Sequence, residues 1–125
     1  MTPGKLRRFD HSVELFRSSH RQKLTKAPVR LFRTAALGLA SRFLKKGIKV
    51  NAQIWTGANM TVVLPEEVST ALYRYGFYEE GLTRTLAERV SEGMTFFDIG
   101  AHFGYYTLMA SSLVGSTGQV HSFEP

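Results

Sequence analysis

The stretch from Thr95 to Glu124 constrains the fold of this chain more than any other. A short apolar run over 95–99 predicts a strand buried on both faces, as parallel strands usually are. Two glycines then open a turn, and apolar residues at helical spacing predict a helix that ends at Gly115. An alternating run over 119–123 predicts a second strand, which delivers Glu124 at its end. The order strand, turn, helix, strand predicts a βαβ unit with parallel strands.

Ligands of parallel sheets bind beyond the carboxyl ends of the strands, where the DIGAHFG turn falls. A dinucleotide fingerprint needs a glycine at the position of His102, because the backbone must approach the pyrophosphate closely. Asp98 would also repel phosphate, whereas S-adenosylmethionine carries an ammonium and a sulfonium and no phosphate. The turn therefore favours S-adenosylmethionine, and a fragment of an NAD-dependent Rossmann oxidoreductase is the alternative.

Glu124 supplies the second part of this prediction. It lies 24 positions after Gly100, near the spacing of roughly 20 residues at which an acidic side chain accepts hydrogen bonds from ribose. That role suits either adenosine ligand. A DxG turn followed by another glycine also occurs without a ligand, so the prediction depends on the combination of strand, turn, helix and acidic residue.

The segments FFDIGAHFGYYTL and GQVHSFEP resemble the cofactor motif of the FkbM-type methyltransferases, which use S-adenosylmethionine and mostly methylate hydroxyl oxygens. The preceding YRYGFYEEGLTRTLAERVSEGM is similar to the lead-in helix of that family, so the resemblance covers about residues 60–125. It implies a Rossmann-like α/β domain whose sheet needs more strands than this chain supplies. We therefore expect the N-terminal portion of a longer enzyme, inactive alone, whose hydroxyl acceptor on a small molecule, glycan or lipid is unspecified.

The same resemblance implies cofactor-binding roles for seven residues. They are Asp98, Gly100, Ala101, His102, Gly104, Tyr105 and Glu124. The first three would lie along the methionine portion, Gly104 and Tyr105 would shape the turn, and Glu124 would bind the ribose. His102 stands where the family commonly has asparagine, and its ring can donate or accept one hydrogen bond. No catalytic base can be assigned.

Charge divides the sequence into two unlike parts. Residues 1–49 hold 13 lysines and arginines against two acidic residues, a net charge of +11, whereas the remainder has a net charge of −5. With the changes in periodicity, this predicts a basic, partly helical leader (1–47), a β-hairpin with two lead-in helices (48–94) and the first, truncated βαβ unit of a methyltransferase domain (95–125).

The leader is predicted to begin as a polar, irregular segment over residues 1–25, with a short helix over 12–21 that Ser12 caps. A clearer helix begins at Pro28 and ends at Gly47. One of its faces carries an apolar stripe at helical spacing, formed by Phe32, Ala36, Leu39, Ala40 and Phe43. This stripe fits either packing on the enzyme body or peripheral contact with an anionic membrane. Nucleic acid is not expected, because aromatic and basic residues do not interleave.

The lead-in region predicts a hairpin followed by two helices. The first helix starts at Pro65 and stops at Gly76. The second runs over 82–91, with Leu82, Leu86 and Val90 on its inner face. Between the two helices, Glu79 and Glu80 are predicted to be solvated or to cap the second helix, and the alternative is that one of them approaches the cofactor.

The composition also excludes some kinds of site. With no cysteine and four dispersed histidines, the chain is predicted to hold no metal. No apolar run approaches the roughly 18 residues of a membrane span, and no signal-peptide core follows the early basic residues, so a cytoplasmic location is predicted. An arginine-rich start also resembles a transit peptide. An unpaired apolar strand edge predicts self-association of the piece. The remaining alternative is a non-catalytic remnant whose basic helix binds membrane surfaces.

Overall fold

The computed structural model describes residues 3–125, and their side chains except at positions 3–5, 20 and 26. This part of the chain is a mixed α/β structure with two small sheets. The helices are α1 (Pro3–Arg17), α2 (His20–Lys26), α3 (Pro28–Leu44), α4 (Glu67–Tyr75), α5 (Glu80–Arg89) and α6 (Tyr105–Val114). The strands are β1 (Ile48–Gln53), β2 (Asn59–Leu64), β3 (Thr95–Ile99) and β4 (Gln119–Phe123). A 3₁₀ turn, Gly115–Thr117, joins α6 to β4.

Both predicted strand pairs are confirmed. Strands β1 and β2 pair antiparallel, with Ile48 opposite Leu64, and form the predicted hairpin. Strands β3 and β4 pair parallel, with Thr95 opposite Gln119 and Ile99 opposite Phe123. Helix α6 connects these two strands, and because the strands are parallel, their carboxyl ends lie at the same edge of the second sheet.

Helix α1 packs into the core, and the prediction of a polar, irregular start is wrong. Phe9 is fully buried, and its ring centroid lies 5.3 Å from that of Trp55 and 5.4 Å from that of Phe77. Val13, one helical turn later, is also buried. Abundant basic residues conceal this apolar face in the sequence. Residues 1 and 2, part of the same prediction, lie outside the described residues.

The predicted cap of the early helix is also wrong. Ser12 lies inside α1, whereas Ser19 begins the next helix with a capping box. The Ser19 hydroxyl accepts a hydrogen bond from the backbone N–H of Gln22, and the Gln22 side chain accepts one from the backbone N–H of Ser19. Helix α1 therefore ends and α2 begins at a point where the backbone N–H groups of Ser19 and Gln22 each donate to the other residue's side chain.

Helix α3 begins at Pro28, as predicted, but it ends at Leu44 and not at Gly47. It stops there because Lys45 adopts a left-handed conformation, with a φ of 48°, and its backbone N–H bonds back into the last turn. Within residues 3–125, none of the helices combines the length and the apolar character that crossing a membrane requires.

The predicted apolar stripe of α3 faces away from the protein body. Phe32 and Phe43 are 75% and 81% exposed, whereas Thr34 and Ser41 are buried. The interpretation of the stripe as a face packed on the enzyme body is therefore wrong. The buried hydroxyls are satisfied within the helix and its C-terminus, because Thr34 Oγ1 donates to the Arg30 carbonyl and Ser41 Oγ donates to the Lys46 carbonyl.

Helix α4 starts at Glu67 and not at Pro65, because Glu66 acts as its N-cap. The Glu66 carboxylate accepts hydrogen bonds from the backbone N–H groups of Val68 at 2.9 Å and Ser69 at 2.7 Å. Partial burial pushes the pKa of Glu66 upward, but the hydrogen bonds from Ser69 and Val68 outweigh it and hold that pKa below its ordinary value. Gly76 ends the helix in a left-handed conformation, as predicted.

We expect the Glu66→Ala substitution to lower the free energy of unfolding by about 1 kcal/mol at neutral pH, because two backbone donors lose their acceptor. The pKa of Glu66 is lower in the folded state than in the unfolded one. Its stabilising effect is therefore complete above the unfolded value of about 4.3 and is lost as the pH falls through the folded pKa. Urea unfolding across this range tests the prediction, with Glu67→Ala as the neighbouring control. Equal losses in the two variants at every pH would contradict it.

Helix α5 runs over Glu80–Arg89, slightly earlier than predicted, and Leu82 does not face inward. Leu82 is 46% exposed, whereas Thr83 and Ala87 are buried. The inner face includes a threonine because its hydroxyl donates to the Tyr78 carbonyl inside the core. Of the three residues predicted on the inner face, Leu82 is therefore exposed, whereas Leu86 and Val90 pack in or against the core as predicted.

Strand β3 is covered on one face only among the described residues, whereas the sequence predicts burial on both faces. Its Asp98 side faces α6, whereas Phe97 and Ile99 are 59% and 83% exposed. On the exposed face, the Phe97 ring stacks with His121 at 5.0 Å and with Phe123 at 6.4 Å between centroids. The second sheet thus presents an uncovered aromatic face.

Candidate functional site

The turn after β3 closes over the end of β4 through its backbone. The N–H groups of Gly100 and Ala101 both donate to the carbonyl of Phe123, at 2.8 and 3.2 Å. The N–H of Gly104 donates to the carbonyl of Ala101 at 2.7 Å, immediately before α6 begins. The turn is therefore held at the edge where the two parallel strands end.

Three residues of this turn have a left-handed backbone. The φ angles of Gly100, His102 and Gly104 are 77°, 50° and 76°. Glycine adopts this conformation freely, and histidine and asparagine are among the side chains that tolerate it best. A Cβ atom added at Gly100 or Gly104 would meet no other atom within 4 Å. The turn therefore leaves open space beside its backbone, which a ligand can occupy.

Glu124 reaches back to this turn from the end of β4. Its Oε2 atom accepts a hydrogen bond from the backbone N–H of His102 at 2.7 Å. The side chains of Glu124 and His102 are both exposed. The structure thus brings together the turn and the acidic residue that the sequence separates by more than twenty positions.

Asp98 lies under the same edge and is 8% exposed. Its Oδ2 atom accepts a hydrogen bond from Thr107 Oγ1 at 2.5 Å, and Thr107 Oγ1 also lies 3.1 Å from Ser122 Oγ. Ser122 is the register partner of Asp98 on β4. Sequence reasoning missed both hydroxyl residues. The parallel register could have indicated Ser122, and Thr107 lies one helical turn after Gly104.

Tyr106 and Glu79 form a second polar pair beside the start of α6. The Tyr106 hydroxyl donates to Glu79 Oε2 at 2.7 Å. Burial, and then the neighbouring Glu79 carboxylate, raise the pKa of Tyr106 well above its ordinary value, so the hydroxyl keeps its proton. Glu79 occupies the N-cap position of α5 with a φ of 46°, but its side chain does not cap the helix. Glu79 is exposed, as predicted, but it does not cap the helix, and its tyrosine partner was not predicted.

Tyr105 supports the turn from within the core. Its side chain is 3% exposed, and its hydroxyl lies 3.2 Å from Trp55 Nε1 and 3.1 Å from Thr83 Oγ1. Burial raises the pKa of Tyr105 to about 12. Its predicted role in shaping the turn fits this anchoring position, whereas the buried ring is not placed for direct contact with a ligand in the open space.

Comparisons of the chain with protein-family models, with curated proteins and with solved structures gave no match. Glu124 lies against the open turn, and the buried carboxylate of Asp98 lies at the end of the strand that enters it. Among the described residues of that turn no lysine or arginine is present. This arrangement attracts a cationic ligand that also carries hydroxyl donors.

Proposed function

We propose that the edge of the second sheet forms the methionine and ribose side of an S-adenosylmethionine site, in the N-terminal portion of a methyltransferase that acts on a hydroxyl oxygen. The observation that carries the proposal is the hydrogen bond of Glu124 to the open, left-handed turn that follows Asp98 at the end of β3. In this assignment Asp98 faces the ammonium and sulfonium charges, and Glu124 accepts hydrogen bonds from the ribose diol. Ala101 and His102 line the cofactor between them.

The backbone N–H groups of the turn already donate hydrogen bonds within the protein, and this argues against a dinucleotide ligand. A pyrophosphate in a Rossmann site lies against the glycine turn that precedes the helix, where it accepts hydrogen bonds from backbone N–H groups. Here the N–H groups of Gly100 and Ala101 donate to the Phe123 carbonyl, and the N–H of His102 donates to the Glu124 carboxylate. A phosphate would have to displace a carboxylate of the same charge. S-adenosylmethionine requires no such exchange.

The arrangement of β3, α6 and β4 supports a Rossmann-like sheet of the class I methyltransferase type. A doubly wound sheet carries helices on both faces. The face with Phe97, Ile99 and Phe123 is uncovered among the described residues, as expected for a sheet whose second helical layer and further strands come from other parts of an enzyme. Those parts would supply the acceptor pocket and the general base.

The residues described here perform the positioning part of the proposed reaction. Methyl transfer is an in-line displacement, so aligning the sulfonium methyl with the acceptor oxygen supplies much of the rate. Asp98 is fixed by Thr107, and Glu124 is fixed by the His102 backbone. Such restraints hold the charged groups in place before the cofactor binds, which lowers the cost of ordering them.

The proposal is tested by isothermal titration calorimetry of the gene's full product with S-adenosylhomocysteine and, separately, with NAD. We expect saturable binding of S-adenosylhomocysteine and no measurable binding of NAD. Tighter binding of NAD would replace the proposal with an oxidoreductase, and an absence of binding to both would reject a nucleoside cofactor at this turn.

A further inference from the structure

A second surface of the protein, on a helix distant from the turn in the sequence, exposes several large apolar side chains to solvent. Helix α3 directs large apolar side chains outward. They are those of Phe32, Leu39 and Phe43, from the stripe predicted in the sequence, and that of Val29, and these four are called the α3 stripe from here on. These side chains are 75%, 58%, 81% and 66% exposed, in that order. Exposed apolar area of this extent is costly in water, at about 25 cal/mol per Å². Large contiguous apolar patches on a protein surface mark sites of interaction.

The orientation of α3 is set by the contacts on its other side. Thr34 and Ser41 are buried against the body with their hydroxyls bonded, and Arg30 Nη1 donates to the backbone carbonyl of Arg74 on α4 at 3.4 Å. Rotating the stripe inward would bury large side chains where small ones now fit and would break the bond between Arg30 and Arg74. The outward stripe is therefore a built feature of the helix packing.

The stripe is surrounded by positive charge. Residues 20–47 contain eight lysines and arginines and no acidic residue. Arg33 lines a groove with β1, and Arg42 lines a different groove with α4. At 3.6 residues per turn, these two positions lie on opposite sides of the stripe. Helices that lie in a membrane interface have this arrangement, with bulky apolar side chains on one face and basic residues beside them.

A cavity adjoins the stripe on the α4 side. Its volume is about 330 Å³, and its lining includes Leu39, Arg42, Thr70 and Arg74. The Arg74 Nε atom is buried and has no hydrogen-bond partner among the described residues. Two arginines beside an apolar residue provide donors for an anionic head group whose acyl chains lie along the stripe.

We propose that the α3 stripe and its flanking arginines bind the surface of a membrane that contains anionic phospholipid, with a head-group phosphate at Arg42 and Arg74. The charge of the surface selects this occupant. A second copy of the chain would bring like charges together around the stripe, which opposes self-association there. An anionic bilayer complements both the apolar stripe and the basic border, at roughly 1 kcal/mol per basic residue near the lipid surface.

Co-sedimentation of the intact protein with vesicles tests this proposal. Two vesicle compositions are compared, phosphatidylcholine alone and phosphatidylcholine with phosphatidylglycerol. We expect binding to the anionic vesicles only, reduced by added salt. The double variant Phe32→Ser, Phe43→Ser is expected to bind at least about tenfold more weakly, because it removes two large apolar side chains. Leu82→Ser, at an exposed leucine on α5, is the matched control and is expected to bind like the wild type.

The charge contribution is tested with Arg42→Gln, which we expect to weaken vesicle binding about fivefold, with Arg89→Gln at the end of α5 as its control. Unfolding midpoints of the variants show whether they remain folded. Equal binding to both vesicle types, or unchanged binding of the double phenylalanine variant, would overturn the proposal. So would a dimer in sedimentation velocity that the same double variant dissolves, because the stripe would then join copies of the chain.

Discussion

Replacing Asp98 with asparagine is expected to weaken the binding of S-adenosylhomocysteine by roughly ten- to one-hundredfold. The change keeps the shape of the side chain and an oxygen for Thr107 but removes the charge that we propose faces the ligand ammonium. A hydrogen bond to a charged group contributes about 1.5–3 kcal/mol, which gives the expected range. Asp98 is 8% exposed, so its interaction with a bound ligand is screened little by solvent.

Measuring the stability of the Asp98→Asn variant shows whether a loss of ligand affinity arises from the site itself or from misfolding. The Asp98→Asn variant loses a charge-assisted bond with Thr107 but also loses the cost of burying a carboxylate. These effects oppose one another, so we expect the free energy of unfolding to change by no more than about 1 kcal/mol. Calorimetric titration and urea unfolding measure the two quantities, and Glu88→Gln on the outside of α5 serves as the control. Unchanged ligand affinity in a folded Asp98→Asn protein would remove Asp98 from the proposed site.

The Phe9→Ala substitution is expected to lower the free energy of unfolding by about 3–5 kcal/mol, the usual loss when a buried phenylalanine is truncated. Phe9 is fully buried against Trp55 and Phe77. Phe43→Ala, on α3, makes the same chemical change at a side chain that is 81% exposed, and we expect it to cost less than about 0.5 kcal/mol. Urea unfolding followed by tryptophan fluorescence compares the two.

Similar losses in the two phenylalanine variants would contradict the packing of α1 into the core. The comparison bears on the function of the basic half of the chain. If Phe9 anchors α1 as described, then α1 belongs to the folded body, and the positive charge of α2 and α3 is displayed from a fixed position. A tail that moves independently of the body would instead lose little stability in either variant.

The local elements of the candidate site were predictable because each has a short-range cause. The bounds of β3 and β4 follow from apolar runs ended by glycine or proline, and the start of α6 follows from Gly104. The hydrogen-bonded contact of Glu124 with the turn was predictable only in outline, from spacing and parallel pairing. Thr107, Ser122 and the Tyr106 to Glu79 bond were not predicted, because they depend on side-chain directions across elements.

The errors on the helices have a common physical origin. Hydrophobic periodicity indicates which face of a helix is apolar, but it does not show what that face meets. On α5, the hydroxyl of Thr83 finds core partners, and Leu82 is turned outward. On α3, Thr34 and Ser41 fit against the body, and Phe32 is left outside. Hydrogen-bond partners outside the helix decided the rotation of α5, and the space available for small side chains against the body decided that of α3.

The sequence by itself determined the mixed α/β class, the hairpin, the parallel strand pair and the acidic, glycine-rich turn between them, because turns, caps and periodicity act over a few residues. Only the tertiary structure decided that α1 joins the core, that Asp98 is held by Thr107, and that the stripe of α3 faces outward. Those features depend on which surfaces meet and which polar groups find partners, and these are properties of packed elements that are distant along the chain.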